Sequence, residues 1–342
     1  MPAGSRPLAL DVAIDMILIL SENDDHVGLV TESLKELGAD FYVFNPADFP
    51  ANASLTIAFD RRGISRRLLR TSVRVIDLDQ VSAVWVRRPR RPQAAEEVHN
   101  EEQRQWIALE SREFLDGLWQ TMDCLWVPGR PRHTHFRYNK IYHLRLAAKL
   151  GFTIPDHTVM TNDPDEILPA YTESCGRMVS KGVYLPASAI RDGEQHVART
   201  HFVHRRDLAA YRSVRFVPTI FQNSIPKKIE LRVTVVGSRV FAAAIDSQAS
   251  RVTRDDWRRF DNDRSVYREY RLPLEVEKRC VRLTQALGLC FGTIDFILTP
   301  QGEYVFLEIN PNGGWTFVQE LTNMAIATAI ADLLTSASVR TA

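Results

Sequence analysis

The sequence is poor in cysteine and lysine, and it lacks any long apolar run. Its 342 residues include four cysteines, none of them in a CxxC pair, and seven lysines against 36 arginines. We therefore expect neither a zinc site nor a disulfide framework. The same cysteine usage favours a reducing, cytoplasmic location. No segment approaches the roughly 20 apolar residues that span a bilayer, and the N-terminus does not resemble a secretion signal. No membrane association is expected.

The charge of the chain is nearly balanced, with a net charge of +1 at pH 7 and 25% charged residues. Proteins that bind nucleic acid through their overall charge carry a clear basic excess, so no nucleic-acid partner is expected. The abundance of arginine over lysine has two explanations, a GC-rich genome or selection for forked contacts to carboxylate and phosphate groups.

Three common catalytic motifs are missing. There is no GxxxxGK[ST] loop, which disfavours a P-loop NTPase, and no GxGxxG after the first apolar run, which disfavours a dinucleotide-binding Rossmann fold. No Gly-x-Ser-x-Gly elbow is present either, which disfavours a serine hydrolase of the α/β type. Any chemistry must therefore come from other residue patterns.

The first 45 residues predict an α/β domain. Residues 14–20 form a continuous apolar run typical of a buried strand, and apolar positions from Val27 to Leu37 recur at helical spacing before Gly38. A second strand is predicted at 41–45, which completes a strand–helix–strand unit. A boundary follows near residues 128–138, a stretch rich in proline, glycine and histidine.

The second half of the chain is richer in predicted strands. Strands are expected at 214–222, 228–236 and 239–247, and again at 291–298 and 303–309. A final helix is predicted at 317–335 from its apolar spacing.

An acidic hairpin near the C-terminus carries the strongest chemical signal. Two strand-like runs within residues 292–315 flank a turn, and a two-residue turn at Gln301-Gly302 would put Asp295 opposite Glu308. Asn310 would share their face, because strand side chains alternate with period two. Facing carboxylates repel unless something positive lies between them. Three oxygen ligands completed by nucleotide phosphates suit Mg²⁺, whereas the ordinary interpretation is a solvated strand face.

Because lysines are scarce, two of them are informative. Lys140 follows Asn139 at the predicted start of a helix, and Lys181 ends a predicted strand before a loop that contains Gly182 and Gly193. A lysine at a strand end can contact phosphate as a point charge. The alternative for each is an ordinary surface lysine.

The segment 227–237 alternates polar and apolar residues in the manner of a strand. Its polar face consists of Lys228, Glu230, Arg232 and Thr234. This face is either solvated or the floor of a nucleotide cleft. In the second case Glu230 would accept hydrogen bonds from ribose, Arg232 would hold a phosphate, and Lys228 would lie near the base or the acceptor.

Together these segments resemble the ATP-grasp enzymes, and more narrowly the graspetide (microviridin-type) maturases that cross-link ribosomal peptides. The resemblance covers most of the chain from about residue 84 onward. The matching stretches are VWVRRPRRP (84–92), NK (139–140), FQNSIPKKIELRVTVVG (221–237), FAAAIDSQ (241–248), DW-R (256–258) and FLEINPNGGWTFVQELT (306–322). The chain departs from the family in two places: Gly313-Gly314-Trp315 stands where Gly-Gln-Trp is common, and the loop after Lys181 has few glycines.

The resemblance implies an α/β ATP-grasp fold that uses ATP and Mg²⁺. It implies a pre-ATP-grasp domain over 1–132, a central lid domain over 133–220 and a C-terminal antiparallel-sheet domain with the metal hairpin over 221–342. The implied nucleotide contacts are Lys140, Lys181, Gln222, Asn223, Ser224, Ile225, Glu230 and Arg232. The implied metal ligands are Asp295, Glu308 and Asn310. Arg232, which the resemblance places at the phosphoryl group, and Lys228, which the strand pattern places near the base or the acceptor, are the predicted catalytic residues.

The function that follows is macrocyclisation of a ribosomal precursor peptide with a leader and an acidic, hydroxyl-rich core. Asp or Glu side chains would be activated as acyl phosphates and joined to Ser or Thr hydroxyls as ω-esters, or to Lys amines as ω-amides. One alternative is an ATP-grasp ligase that acts on an amino acid, a dipeptide or a protein terminus. The other is a nucleotide-binding module without ligase chemistry. The oligomeric state stays open, with a homodimer among the options.

An arginine run also has two interpretations. Arg87, Arg88, Arg90 and Arg91 are interrupted by prolines. They would either hold acidic side chains of the peptide or form a solvated linker with one structural salt bridge.

Overall fold

The computed structural model describes residues 10–11, 15–22, 24–131, 139–183, 188–191, 194–197, 200–249 and 267–337. The chain divides into two compact units. Unit 1 comprises Met1–Thr134, Gly288–Phe291 and Ala325–Ala342, and unit 2 comprises His135–Leu287 and Gly292–Met324.

The α-helices of the described residues are α1 Asp25–Glu36, α2 Glu101–Gln120, α3 Lys140–Lys149, α4 Ile167–Glu173, α5 Leu274–Ala286, α6 Thr316–Thr322 and α7 Ile326–Thr335. The first nine strands of the described residues are β1 Leu10–Asp11, β2 Met16–Ser21, β3 Phe41–Phe44, β4 Ser54–Asp60, β5 Gly63–Arg70, β6 Val75–Asp77, β7 Val81–Arg87, β8 Leu125–Val127 and β9 Val159–Thr161. The later strands are β10 Met178–Gly182, β11 Ser188–Arg191, β12 Glu194–Val197, β13 His201–Phe202, β14 Thr219–Asn223, β15 Ile229–Val236, β16 Arg239–Ile245, β17 Tyr267–Glu269, β18 Phe291–Leu298 and β19 Tyr304–Asn310.

Unit 1 is built on a parallel sheet of order β3-β2-β7-β8, as the strand–helix–strand pattern predicts. The helix α1 is capped at its N-terminus by Asp24, whose side chain accepts a hydrogen bond from the Val27 amide at 3.1 Å. It ends before Gly38, whose φ of +67° is the left-handed conformation that a C-terminal glycine adopts easily. Both helix ends are therefore encoded locally.

The prediction of one continuous helix at 317–335 is wrong, because the chain forms two shorter helices there. Asn323 has a φ of +58° and ends α6, after which α7 begins at Ile326. The buried face of α7 is apolar and contacts α1 within unit 1. A helical period alone does not reveal such a break, because asparagine tolerates the left-handed conformation.

The first sheet of unit 2 is antiparallel and has the order β13-β10-β14-β9. Its core includes Ile167, Met178, Val214 and Phe221. The predicted strand at 214–222 is wrong in its first part, because Arg205–Phe216 form a 3₁₀ helix and the strand begins at Thr219.

The second sheet of unit 2 has the order β17-β16-β15-β18-β19, with antiparallel pairing at β17-β16, β16-β15 and β18-β19. Every residue of β15 and β18 is buried. Polar side chains on these strands must therefore find partners inside the protein, because an unpaired buried charge is strongly unfavourable. This sheet holds the candidate site.

The described helices also bear on the expectation that the protein is not associated with a membrane. No helix in the described ranges is both long enough and apolar enough to cross a bilayer. The three domains 1–132, 133–220 and 221–342 stay a prediction. The DW-R stretch (256–258) and Gly193 lie outside the described residues.

Candidate active site

The acidic hairpin pairs Asp295 with Glu308, as predicted, but by a different route. The loop has three residues, Pro300 to Gly302, closed by hydrogen bonds between Thr299 and Glu303. That turn alone would put Asp295 opposite Leu307. A β-bulge shifts the register between Asp295 and Phe296, so Leu307 has no partner on β18 and Glu308 moves into place. The bulge therefore brings the two carboxylates together, in line with the concentration of bulges at functional sites.

The first carboxylate is paired with a buried arginine. Arg232 on β15 donates from Nη1 to Asp295 Oδ1 at 2.8 Å, and the two side chains are 5% and 4% exposed. Arg232 Nη2 donates to the Gly314 carbonyl oxygen at 2.9 Å. The guanidinium is thus fixed by a carboxylate on one nitrogen and a backbone carbonyl on the other. This orientation is set before any ligand arrives, which is the arrangement that electrostatic catalysis requires.

Gly313 makes this arrangement sterically possible. A Cβ at this position would overlap Thr293 Oγ1 and would lie 2.5 Å from Arg232 Nη2. Any larger residue must displace both of these side chains. The glycine is therefore a requirement of the close approach between the chain after β19 and the arginine on β15.

The second carboxylate is paired with a lysine at the start of a helix. Lys140 Nζ lies 3.4 Å from Glu308 Oε2 and donates to the Gly182 carbonyl oxygen at 3.0 Å. A cation at a helix N-terminus opposes the helix dipole, so the position of Lys140 is compensated by these two partners. Asn310 Nδ2 donates to Glu308 Oε1 at 3.3 Å. The structure therefore brings Lys140, Glu308 and Asn310 together, as the resemblance implies.

A third ion pair involves a lysine that the sequence reasoning missed. Lys227 Nζ lies 3.0 Å from Glu230 Oε1, with side-chain exposures of 14% and 6%. Lys228, the predicted catalytic lysine, is exposed and lies before β15, which starts at Ile229. Glu230, Arg232 and Thr234 are buried, so the solvated-face interpretation of this strand is wrong. The missed signal was the position of Lys227 three residues before Glu230.

Burial raises the pKa of Glu230 above its ordinary value, and the negative charge of Asp295 adds to the rise. Lys227 is the main group acting in the opposite direction, and the Ser247 hydroxyl also hydrogen-bonds the carboxylate. Tyr267 lies close enough for the Glu230 charge to raise the tyrosine pKa, after burial as the larger cause. Glu230 is therefore an acid whose ionisation depends on its neighbours.

The three pairs balance each other in charge. Each of the carboxylates Asp295, Glu308 and Glu230 is matched by one cation, in the order Arg232, Lys140 and Lys227. The facing acids of the hairpin were expected to need a metal ion between them. Among the described residues, arginine and lysine side chains supply that positive charge.

The resemblance implies that Gln222 to Ile225 read the adenine through their backbone groups, and the side chains of these residues do not all lie on the same side of the β13-β10-β14-β9 sheet. Gln222 pairs with Val179 and has its Nε2 3.0 Å from Thr158 Oγ1, on the face that Lys181 and Ile220 also share. Asn223 instead pairs with Met178 on the core face. The Ser224 amide donates to the Arg177 carbonyl at 2.6 Å, and Ile225 lies in the irregular stretch before β15. Gln222 and Lys181 are therefore placed together, and Asn223 is not.

The residues of the hairpin fit a magnesium ion by donor chemistry. Within the part of the chain that the structure describes, no group of three or more His, Cys, Asp or Glu residues is arranged to hold a metal ion. Asp295, Glu308 and Asn310 instead offer two carboxylates and one amide. Magnesium typically takes one or two carboxylates and completes its shell with phosphate and water, so this incomplete set suits it.

Two family models match the chain. The MvdD pre-ATP grasp domain matches residues 16–132, and the RimK-like ATP-grasp domain matches residues 217–334. No curated protein matched the chain.

Solved structures match nearly the whole chain. A RiPP-associated ATP-grasp ligase from Chryseobacterium gregarium, in complex with ADP and a leader and core peptide, is 30% identical with a TM-score of 0.87, covering 94% of this chain and 97% of that one. The macrocyclase MdnB from Microcystis aeruginosa MRC is 31% identical with a TM-score of 0.75, covering 94% and 99%. The macrocyclase MdnC from the same organism, bound with the precursor peptide MdnA, is 26% identical with a TM-score of 0.81, covering 94% and 99%. The chain therefore belongs to the RiPP-associated ATP-grasp ligases.

Proposed function

We propose that this chain is an ATP- and Mg²⁺-dependent ligase that macrocyclises a ribosomally made precursor peptide. It would activate Asp or Glu side chains of the core and join them to Ser or Thr hydroxyls as ω-esters or to Lys amines as ω-amides. The observation that carries the proposal is the buried Arg232, fixed between Asp295 and the Gly314 carbonyl beside a second paired carboxylate. Two of the similar solved structures are bound to a leader and core peptide or to a precursor peptide, which supports the substrate class.

In the first step a peptide carboxylate oxygen attacks the terminal phosphorus of the nucleotide, which forms an acyl phosphate and releases ADP. Phosphoryl transfer has a loose transition state, so positioning and charge stabilisation matter most. Arg232 is oriented to donate to the transferring group, and Lys140 and Lys181 supply charge for the phosphates. Asp295, Glu308 and Asn310 would hold a magnesium ion, which would neutralise further phosphate charge.

In the second step the acceptor hydroxyl or amine attacks the acyl carbon. The acceptor loses its proton, and inorganic phosphate leaves with one oxygen of the original carboxylate. Arg232 stays fixed by Asp295 and Gly314, so the same guanidinium can stabilise the departing phosphate without reorganisation. The ring closes because donor and acceptor belong to one bound peptide, which raises their effective concentration.

The leader segment of the peptide would dock outside the nucleotide cleft and keep the core nearby, which adds to that effective concentration. A homodimer, a cytoplasmic location and the three domain boundaries are further parts of this proposal, and analytical ultracentrifugation would test the first of them.

A second candidate is a carboxylate–amine ligase that acts on an amino acid, a dipeptide or a protein terminus. The match of residues 217–334 to the RimK-like ATP-grasp domain favours it. The matches that extend over the whole chain, N-terminal region included, favour the peptide macrocyclase instead.

Mass spectrometry of the precursor peptide after incubation with the protein, ATP and Mg²⁺ tests the proposal. The expected product has lost one water for each ring, and the loss is absent with a Glu308→Gln variant. An unchanged peptide mass, together with ADP release in the presence of free amino acids, would favour the second candidate.

A further inference from the structure

The two adjacent lysines before β15 occupy different environments. Lys227 is largely buried, with Nζ 3.0 Å from Glu230 Oε1. The Lys228 side chain is exposed, and the backbone amide of this residue donates to the Leu298 carbonyl at 2.8 Å. The chain thus presents one lysine to the interior and its neighbour to solvent. This contrast provides a natural pair of positions for comparison.

Burial of the Lys227–Glu230 pair requires an explanation beyond stability. Taking two charges out of water costs several kcal/mol per ion in general, and the attraction between them often only offsets that cost. An apolar pair would hold the turn before β15 at least as well. The presence of two ionisable groups here therefore indicates a role for the Glu230 carboxylate.

The surroundings of Glu230 explain why it needs a cation. Burial and the nearby Asp295 both disfavour the charged carboxylate, whereas Lys227 and the Ser247 hydroxyl favour it. Arg232, two residues along the same strand, donates to Asp295 and Gly314. Lys227 is therefore the charged group that the structure shows in contact with Glu230.

We propose that Lys227 is a positioning residue that holds the Glu230 carboxylate in the orientation in which it accepts hydrogen bonds from the ribose hydroxyls of the nucleotide. This inference rests on the proposed function, in which Glu230 contacts ribose. It moves the important lysine of this segment from Lys228 to Lys227. Lys227 itself need not touch the nucleotide.

The test compares the binding of Mg²⁺-ADP and its 2′-deoxy and 3′-deoxy analogues by calorimetry. Hydrogen bonds to charged groups contribute enough that Lys227→Ala is expected to weaken ADP binding about tenfold. In the wild type, the deoxy analogue that lacks the hydroxyl bound by Glu230 should bind about tenfold more weakly than ADP. In Lys227→Ala, ADP and this analogue should bind with nearly equal affinity. Lys227→Arg should restore most of the affinity, and the matched control Lys278→Ala, at an exposed lysine of α5, should bind as the wild type does.

A purely structural role for Lys227 would give a different pattern. Lys227→Ala would then weaken ADP and the deoxy analogues by the same factor, and that result would overturn the proposal. So would unchanged binding by Lys227→Ala, or weakened binding by Lys228→Ala alone. Lys227→Met retains the apolar stem of the side chain and is the second variant if Lys227→Ala folds poorly, with the same pattern expected.

This test stays separate from the test of the proposed function, because no peptide is present. A wild-type protein that binds ADP but forms no rings would remove the macrocyclase proposal and leave the Lys227 result readable. Conversely, ring formation by the wild type together with equal losses for ADP and its deoxy analogues in Lys227→Ala would remove the Lys227 proposal alone.

Discussion

Each unit of the protein contains a buried arginine paired with an aspartate, and the two pairs differ in what surrounds them. In unit 1, Arg87 at the end of β7 has its Nε 3.1 Å from Asp24 Oδ2. In unit 2, Arg232 has its Nη1 2.8 Å from Asp295 Oδ1. Asp24 also caps α1, so the first pair joins a strand end to a helix start. The second pair lies among other compensated charges.

The difference teaches that a buried ion pair does not by itself indicate a functional site. Around Arg232 the chain concentrates two more carboxylates, each with its own cation, and a glycine that allows a close backbone approach. Around Arg87 the neighbouring contacts stabilise the fold: His26 lies 3.4 Å from the same Asp24, and Arg90 pairs with Glu22. For Arg87 and Arg90, the structure favours the salt-bridge interpretation of the arginine run. A role for Arg88 and Arg91 in holding the peptide stays a prediction.

The largest expected effect comes from replacing Arg232 with lysine. The variant keeps the positive charge but loses the fork that contacts Asp295 and Gly314 together. Loss of a preoriented donor of this kind is expected to lower the rate of ring formation about 100-fold or more. Rates are measured by mass spectrometry at saturating ATP, with thermal unfolding as the control for folding. A rate within a few-fold of the wild type would show that the forked geometry is unimportant.

Gly313→Ala is expected to lower the same rate about tenfold, because a small displacement of a catalytic group is costly. Its Cβ must displace both the Thr293 side chain and the Arg232 guanidinium. Gly117→Ala is the matched control, since nothing lies within 4 Å of a Cβ at that exposed position in α2. That control is expected to be neutral for activity and slightly stabilising, because alanine is the better helix former. Equal activity for both variants would remove the argument from close approach.

Arg87→Met should separate the two regions most clearly. It leaves Asp24 without its buried partner and is expected to lower the free energy of unfolding by about 3 kcal/mol. Ring formation per folded molecule should stay near that of the wild type. Urea unfolding measures the first quantity, and rates corrected for folded fraction measure the second. A large loss of rate in a stably folded Arg87→Met protein would instead support a role for the arginine run in holding the peptide.

The two regions should also respond to pH in opposite directions. Burial, followed by the nearby Arg87 charge, lowers the pKa of His26 from 6.5 to about 4. Its contribution to stability is therefore present above pH 6.5 and is lost as the pH falls towards 4. The raised pKa of Glu230 has the opposite effect on stability. Its contribution to the free energy of unfolding is complete below pH 4.5 and is lost as the pH rises through the pKa of Glu230 in the folded protein.

Unfolding measured across this pH range checks both signs. The wild-type free energy of unfolding should fall between pH 6.5 and 4, and His26→Gln is expected to reduce this fall by about 2 kcal/mol, after allowance for partial exposure of the histidine. Glu230→Gln should reduce the fall in the free energy of unfolding that occurs as the pH rises above 4.5, and it should leave the acid-side fall due to His26 unchanged. If His26→Gln has the same dependence of unfolding free energy on pH as the wild type, the loss of stability at acid pH does not come from His26 in unit 1.

The sequence predicts the strands of the site well, because each depends on local alternation. Glu230 and Arg232 are correctly placed on one face of β15, and Asp295 is correctly placed opposite Glu308. The agreement at Glu308 arises from two compensating differences, however, a loop one residue longer and a bulge at Leu307. Short-range patterns do not encode bulges, since an extra residue leaves hydrophobicity unchanged on average.

Contacts that depend on irregular backbone were harder to predict. Lys227 reaches Glu230 from the stretch before β15, where no period applies, and Lys228 fits the alternation better although it is exposed. The β5 strand, Gly63–Arg70, was missed because its three arginines mask the alternation of its apolar residues. The family and fold class were nevertheless predicted, because the matching stretches carry the residues that the fold brings together.

The central claim is that the protein activates a peptide carboxylate by phosphorylation. The most direct measurement uses a precursor peptide whose Asp and Glu side chains carry a heavy-oxygen label, incubated with the protein, ATP and Mg²⁺. The account predicts that each ring formed transfers one labelled oxygen to the released inorganic phosphate, and that Arg232→Lys slows transfer and ring formation together. Rings that form while the phosphate stays unlabelled would contradict it.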